Sequence, residues 1–416
     1  MLPRVVITGM GVVSPNGIGK EAFCRAILAG KSGVKRISRF DTSDLPVHIA
    51  GEIPEFDELA WVDARERKHV SRVVPLAVAA SSEAIQDAAL DPASMSMDEK
   101  REIGVILGTG GGAQEFSEEQ YRLWHSGQIK HVSLFCIPSG TMGTIPSEIS
   151  MRFGFRGYSH VVTAGCTSST DALGYAYQHI QAGVQPMFLV GGVDSPITAG
   201  IIKGYTLLRA LTQSWNHAPE RASRPFSADR DGFVIAEGSW MFILEDYVHA
   251  RARGARIYAE IAGYASTCEA FHRVRMSDSP EEPARAITMA LEEAGIAAED
   301  VQYVNLHGTS TEMNDRVETS ALKLALGAHA NRIPMSGLKS QIGHAQGACG
   351  SASLAATLIA MEHGKIPPTV NLDVADPECD LDYVPDIGRE AEIEHAICNC
   401  VGFGSKNSAL VLRKVA

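Results

Sequence analysis

The chain has 416 residues, enough for one large domain or two ordinary ones, and is 45% hydrophobic and 21% charged, as expected of a soluble globular protein with a sizeable core. Its formal net charge of −12 argues against nucleic acid as a partner. No apolar run approaches the roughly 20 residues that cross a bilayer, so a membrane role is not expected either.

Residues 1–13 lack the basic segment and long apolar core of a secretory signal and read as the first strand. Residues 5–9 form a buried strand ending in a glycine turn, and 20–29 a helix stopped by Gly30. Residues 36–60 are irregular. Residues 63–89 form the first long helical region, opening with Arg65, Arg67, Lys68 and Arg72 and interrupted at Pro75. Residues 103–107 form a strand running into the glycines of 108–112. That loop fits neither the Walker pattern nor the dinucleotide fingerprint, and reads as a close approach to a site or a neighbouring subunit. Residues 130–146 form a long connection.

Residues 161–176 carry the strongest signal. A β-branched run meets Gly165, Cys166 and a Ser/Thr cluster, followed by a helix with Ala172, Ala176 and Ile180 on one face. Cys166 therefore sits where a strand turns into a helix, near free N–H groups and the positive end of the helix dipole. Both favour thiolate. A buried core cysteine would need neither the tight turn nor the hydroxyls.

Residues 187–192 and 240–245 are further strands, separated by a charged, turn-rich loop. Near residue 257 the order restarts, dividing the chain into 1–255 and 256–416. In the second part come a strand at 257–263, a helix at 283–294, a strand at 303–306 leading to His307, and a last pair of strands at 397–400 and 408–412. Lys339 and His344 lead into a small-residue helix at 348–362, which places His344 at a strand-to-helix turn like that of Cys166. Cys398 and Cys400 share one strand face and read as buried thiols. The eight scattered cysteines show no framework spacing and point to a reducing cytoplasm.

Cys166, His307 and His344 thus all lie at glycine-flanked turns. Metal binding by the three is not expected, because they lie in separate elements with no short-range ligand pair. Nucleophilic catalysis fits better. A thiolate can take an acyl group from a thioester. Two imidazole N–H groups can stabilise the oxygen charge that develops as a malonyl group loses CO2. The Cys166 N–H suits an oxyanion hole. A Cys-His hydrolase needs one histidine and an orienting group, which leaves the second histidine and Lys339 idle.

On these residues the chain resembles, essentially end to end, the β-ketoacyl-acyl-carrier-protein synthases of the thiolase superfamily. The motifs are 163–168 around Cys166, 307–311 with Asp315, Lys339-Ser340 with Gly343-His344, and Gly402-Phe403-Gly404. The resemblance implies an α/β fold, the five-layered αβαβα thiolase fold built from two similar halves, and a dimer. It implies Cys166 as the acylated nucleophile and His307 and His344 as the decarboxylation pair. Lys339 would order His344, with Glu318 as its acidic neighbour. The Phe403 N–H would complete the oxyanion hole, and its ring with Phe233 would gate the acyl pocket. Thr309 and Thr311 would bind the phosphopantetheine arm. Gly111, Phe271 and His272 would border the substrate pocket, and Arg67, Lys68 and Arg209 would meet an acidic carrier protein. No dissociable cofactor is implied, since the phosphopantetheine belongs to the acyl carrier protein.

Residues 194–198, 314–319 and 376–385 look more like the catalytic ketosynthase-alpha subunit of type II polyketide synthases. That subunit pairs with a cysteine-less chain-length factor. The alternative is a homodimeric 3-oxoacyl-acyl-carrier-protein synthase II of fatty acid elongation. Two stretches depart from the family. Arg273-Val274-Arg275 stands where a Met-Thr pair is usual, and Ser405-Lys406 stands where paired glycines are common.

Overall fold

The β-branched runs become strands of one large mixed sheet in the computed structural model, which describes residues 2–415. The first half supplies β1 (Val5–Ser14), β2 (Ile103–Gly108), β3 (Ser159–Val162), β4 (Met187–Asp194) and β5 (Gly238–Asp246). The second supplies β6 (Ala259–Cys268), β7 (Tyr303–Asn305), β8 (Met335–Ser336), β9 (His395–Gly402) and β10 (Lys406–Arg413). The spatial order is β3-β2-β4-β5-β1 in one half and β8-β7-β9-β10-β6 in the other. Both read third, second, fourth, fifth, first. The pairing senses repeat too. The first three strands of each order pair parallel and the rest antiparallel. The two copies join where β1 meets β6 antiparallel, with Val5 opposite Ile261.

Helices complete five layers. α1 (Val73–Asp87) and α2 (Thr144–Phe153) cover the outer face of the first half. α3 (Ser168–Gln181) and α6 (Cys349–His363) pack on strands of both halves, between them. α4 (Glu281–Ala294) covers the outer face of the second half, with α5 (Glu312–Leu326) beside it. A helix enclosed by the two halves of the sheet has no solvent stripe, and α6 is buried from Cys349 to Met361. Small residues let both halves close on it. This architecture is the thiolase-like fold.

Four local expectations change. Gly9 does not end the first strand. β1 runs on through it to Ser14, and a Cβ at Gly9 would overlap the Ala84 carbonyl oxygen and crowd Ala88 of the segment that closes α1. The glycine serves helix–strand approach, not a turn. The predicted helix at 63–89 splits into a 3₁₀ turn at Arg67–His69 and α1. Pro75 lies in the first turn of α1, where its missing N–H costs no helical bond. The connection at 130–146 contains a helical turn at Cys136–Ser139 and the start of α2. His344 follows a single helical turn, Lys339–Ile342, and Gly343 at φ +77°, instead of a strand.

No helix among the described residues is long and apolar enough to cross a membrane. The cysteines are all free.

Candidate active site

Three turns converge at the inner ends of the central layer. The first is the end of β3. Gly165 adopts φ +70°, and Cys166 follows immediately before α3. The second leaves β7 at His307, and the third is the Gly343-His344 turn ahead of α6. A cavity of about 400 Å³ opens onto them, lined by Cys166, His307, His344, Phe233, Phe403 and Thr309 among others. A second cavity, of about 680 Å³, lies near Trp61, Phe135 and Met151, but none of the three reactive side chains lines it.

Cys166, His307 and His344 are all buried. His344 Nε2 stands 3.2 Å from Cys166 Sγ. The Gln346 backbone N–H donates to His344 Nδ1 at 3.1 Å. Burial lowers the basicity of this ring, and the charge of the facing Cys166 sulfur raises it more. The Gln346 N–H at Nδ1 nonetheless leaves the ring one proton, on Nε2. Lys339 Nζ lies 3.3 Å from His307 Nδ1 and donates to the His307 carbonyl oxygen at 2.5 Å. Its ammonium has only protons to offer, so His307 also keeps its own proton on Nε2. Both imidazoles therefore present an Nε2–H donor. For the Cys166 thiol, burial acts upward, but the facing His344 and a hydrogen bond from His307 outweigh it and hold the group below the ordinary thiol range.

Lys339 orders His307, not His344 as expected from sequence. Glu318 is not its ion-pair partner in this arrangement. The Glu318 carboxylate accepts the His307 N–H (2.7 Å), the Gly308 N–H (2.8 Å) and Asn399 Nδ2–H (2.6 Å). Carboxylate and amide clamp the turn that carries His307. Asn399 was not singled out in the sequence. It alternates with Cys398 and Cys400 on β9 and so faces the opposite side, toward α5.

Phe403 lines the cavity half-exposed, in the turn between β9 and β10. Gly402 lies against the Cys166 backbone nitrogen, where a Cβ would come within 3.2 Å. The Cys166 and Phe403 N–H groups find no acceptor among the described residues. Phe233 packs edge-on against His344, with ring centroids 5.2 Å apart. Thr309 and Thr311 line the cavity with hydroxyls 2.8 Å apart. Phe271 is exposed at the mouth.

Two expected pocket residues do not line this cavity. Gly111 donates to Asp194 Oδ1 at 2.9 Å. Asp194 also accepts from the N–H groups of Gly110, Gly112 and Gly347 and from Thr109 Oγ1. The glycine-rich loop thus cradles an internal carboxylate, contributed from 83 residues away. His272 turns its Nδ1 to the N–H groups of Val274 and Arg275. It shapes the loop, and Val274, Arg275 and Met276 line the cavity in its place. Of the three basic residues, Arg209 borders the cavity and is exposed. Arg67 folds back onto Glu58 and the Val70 carbonyl, and Lys68 is exposed; neither reaches the cavity.

A buried thiol flanked by two imidazole donors and free backbone N–H groups, on a doubled α/β half, defines the condensing class within thiolase-like folds. The sequence matches the β-ketoacyl synthase N-terminal domain over residues 3–250 and the C-terminal domain over residues 258–373. The chain belongs to the β-ketoacyl synthase family. It is 41% identical to the actinorhodin polyketide putative β-ketoacyl synthase 1 of Streptomyces coelicolor, over 99% of this chain and 88% of that one. It is 39% identical to 3-oxoacyl-[acyl-carrier-protein] synthase 2 of Synechocystis sp., over 99% and 98%. Among solved structures it is similar to a type II polyketide ketosynthase bound to a hexaketide and in complex with its acyl carrier protein. That match has a TM-score of 0.90 and 33% identity and covers both chains fully. The ishigamide ketosynthase/chain length factor superposes at a TM-score of 0.91 with 30% identity, again over both full chains.

Proposed function

We propose that the protein condenses a Cys166-bound acyl chain with malonyl-acyl-carrier protein, losing CO2 and giving β-ketoacyl-carrier protein. The observation that carries this reading is the pair of Nε2–H donors beside one activated sulfur.

The Cys166 thiolate attacks the carbonyl of an acyl-carrier thioester. The carbonyl oxygen takes up negative charge and meets the N–H groups of Cys166 and Phe403. Each such donor is worth roughly 10²–10³ in rate. The carrier sulfur leaves as a thiolate and takes a proton from solvent, and the acyl group stays on Cys166. A malonyl thioester then enters, its arm passing Thr309 and Thr311. Its thioester oxygen accepts from His307 and His344 as the C–C bond to the carboxylate breaks. The electrons of that bond become the enolate, and CO2 departs. The enolate carbon attacks the acyl carbonyl, and Cys166 is expelled as thiolate.

In this reading residues 1–255 supply the nucleophile and 256–416 the two histidines. Phe233 and Phe403 gate the acyl pocket. Arg209 at the mouth, with Arg67 and Lys68 further out, meets the acidic carrier protein, which brings its own phosphopantetheine. The polyketide branch is favoured by the resemblance of residues 194–198, 314–319 and 376–385 and by relatives such as the tetracenomycin ketoacyl synthase alpha subunit of Streptomyces glaucescens, 40% identical. The partner is then a cysteine-less chain-length factor, and the compartment is the cytoplasm.

The test is Cys166→Ala. Condensation falls by at least about 10³-fold, while malonyl decarboxylation persists because both histidines remain. Undiminished condensation in this variant would sink the assignment.

A further inference from the structure

Two buried thiols stand behind the catalytic groups without a part in the proposed reaction. Cys349 begins α6, and Cys400 lies on β9. Their sulfurs are 3.9 Å apart. Each is 3.3 Å from the Cys166 carbonyl oxygen. Cys400 Sγ is 3.6 Å from His307 Nδ1. The two sulfurs and a His307 ring nitrogen all lie within 4.8 Å of one another.

The four separations given individually lie close to the edges of a tetrahedron. Bonds of about 2.3 Å to sulfur and 2.0–2.1 Å to nitrogen or oxygen set S···S near 3.8 Å and S···N or S···O near 3.5 Å. We propose that Cys349, Cys400 and His307 Nδ1, with the Cys166 carbonyl oxygen at the fourth corner, form a binding site for a soft divalent cation such as Zn²⁺ or Cd²⁺. The sequence hides this site, because its ligands come from four separate segments of the chain.

Charge balance favours occupation. Binding releases the two thiol protons, and two thiolates neutralise the cation, so the buried site gains no net charge. One donor must give way. The Nδ1 lone pair now faces Lys339 Nζ, which can retain its bond to the His307 carbonyl.

The consequence for activity rests on the condensing reading. A metal on His307 Nδ1 severs that ring from Lys339 and fixes the Cys166 carbonyl, so it inhibits. The site itself is tested without turnover. Cadmium is titrated into the full-length Cys166→Ala protein, and the ultraviolet cadmium–thiolate charge-transfer band is followed. The band is expected there, and is expected to vanish in Cys166→Ala/Cys349→Ala and in Cys166→Ala/Cys400→Ser. A band that survives both second substitutions, or no band at all, overturns the site. A second arm uses Zn²⁺ with Cys349→Ala alone, whose small side chain suits the start of α6. This variant is expected to need at least about tenfold more zinc for half-inhibition of condensation than the unsubstituted protein. Equal sensitivity overturns the inhibitory consequence.

Discussion

At the scale of single residues, the pattern is a donor assigned to each ring nitrogen that must not carry a proton. Gln346 N–H does this for His344 and Lys339 Nζ for His307, so both rings keep an Nε2–H donor. The sulfur responds to the same groups. Free thiols titrate near 8.5, and Cys166 is held lower because the imidazoles outweigh its burial. The reactive form is the thiolate, so the iodoacetamide alkylation rate should rise with pH and level off at an inflection below about 8.5. His344→Ala should move that inflection upward. An unmoved inflection would mean that His344 does not set the thiol's acidity. The three residues were legible because each lies beside a glycine at a turn, which is a local signal, although His344 follows a helical turn and not the expected strand. Gln346 could have been found by the same logic, since its N–H lies only two residues beyond His344. Lys339's choice of His307 was not legible, because it depends on how two turns from distant segments meet.

At the scale of elements, buried carboxylates tie the turns to the sheets. Glu318 on α5 holds the His307 turn and β9 together. Glu318→Gln places an NH₂ group against donors and should misplace the His307 ring. Malonyl decarboxylation should drop about 10²-fold, with Cys166 acylation spared. Equal loss of both would indicate general unfolding instead. Asp194 does the same for the glycine loop. Asp194→Asn leaves five donors competing for one oxygen, and should cost about 3 kcal/mol of unfolding free energy in a urea titration. The loop's partner lies 83 residues away, which is why the sequence showed its glycines only as a close approach to a site or a neighbouring subunit. Gly9 carries a similar lesson. In sequence it looks like a turn, whereas in space it admits α1. Gly9→Ala should destabilise by about 1–3 kcal/mol. Gly143→Ala, at φ −62° with open space around it, should stay within about 0.5 kcal/mol.

At the scale of the whole molecule, the repeat was legible as an order of elements, and the structure gives it substance. Both halves share one strand order and one set of pairing senses. What the sequence could not supply was the contact between them. The join of β1 to β6 and the two-sided burial of α3 and α6 bring Cys166 from one half against His307 and His344 from the other. Assembly belongs to this scale. If the polyketide branch holds, protein purified alone should give little condensation, and co-expression with a neighbouring cysteine-less homologue should restore it. Full activity alone would favour the homodimeric elongation synthase. The central claim is tested most directly by intact-protein mass spectrometry on this chain, alone and with such a partner, given acyl-carrier protein and then malonyl-carrier protein. The account predicts a single acyl mass gain on Cys166, discharged on malonyl addition as a β-ketoacyl-carrier product. No acylation of Cys166 and no ketoacyl product in any pairing would contradict it.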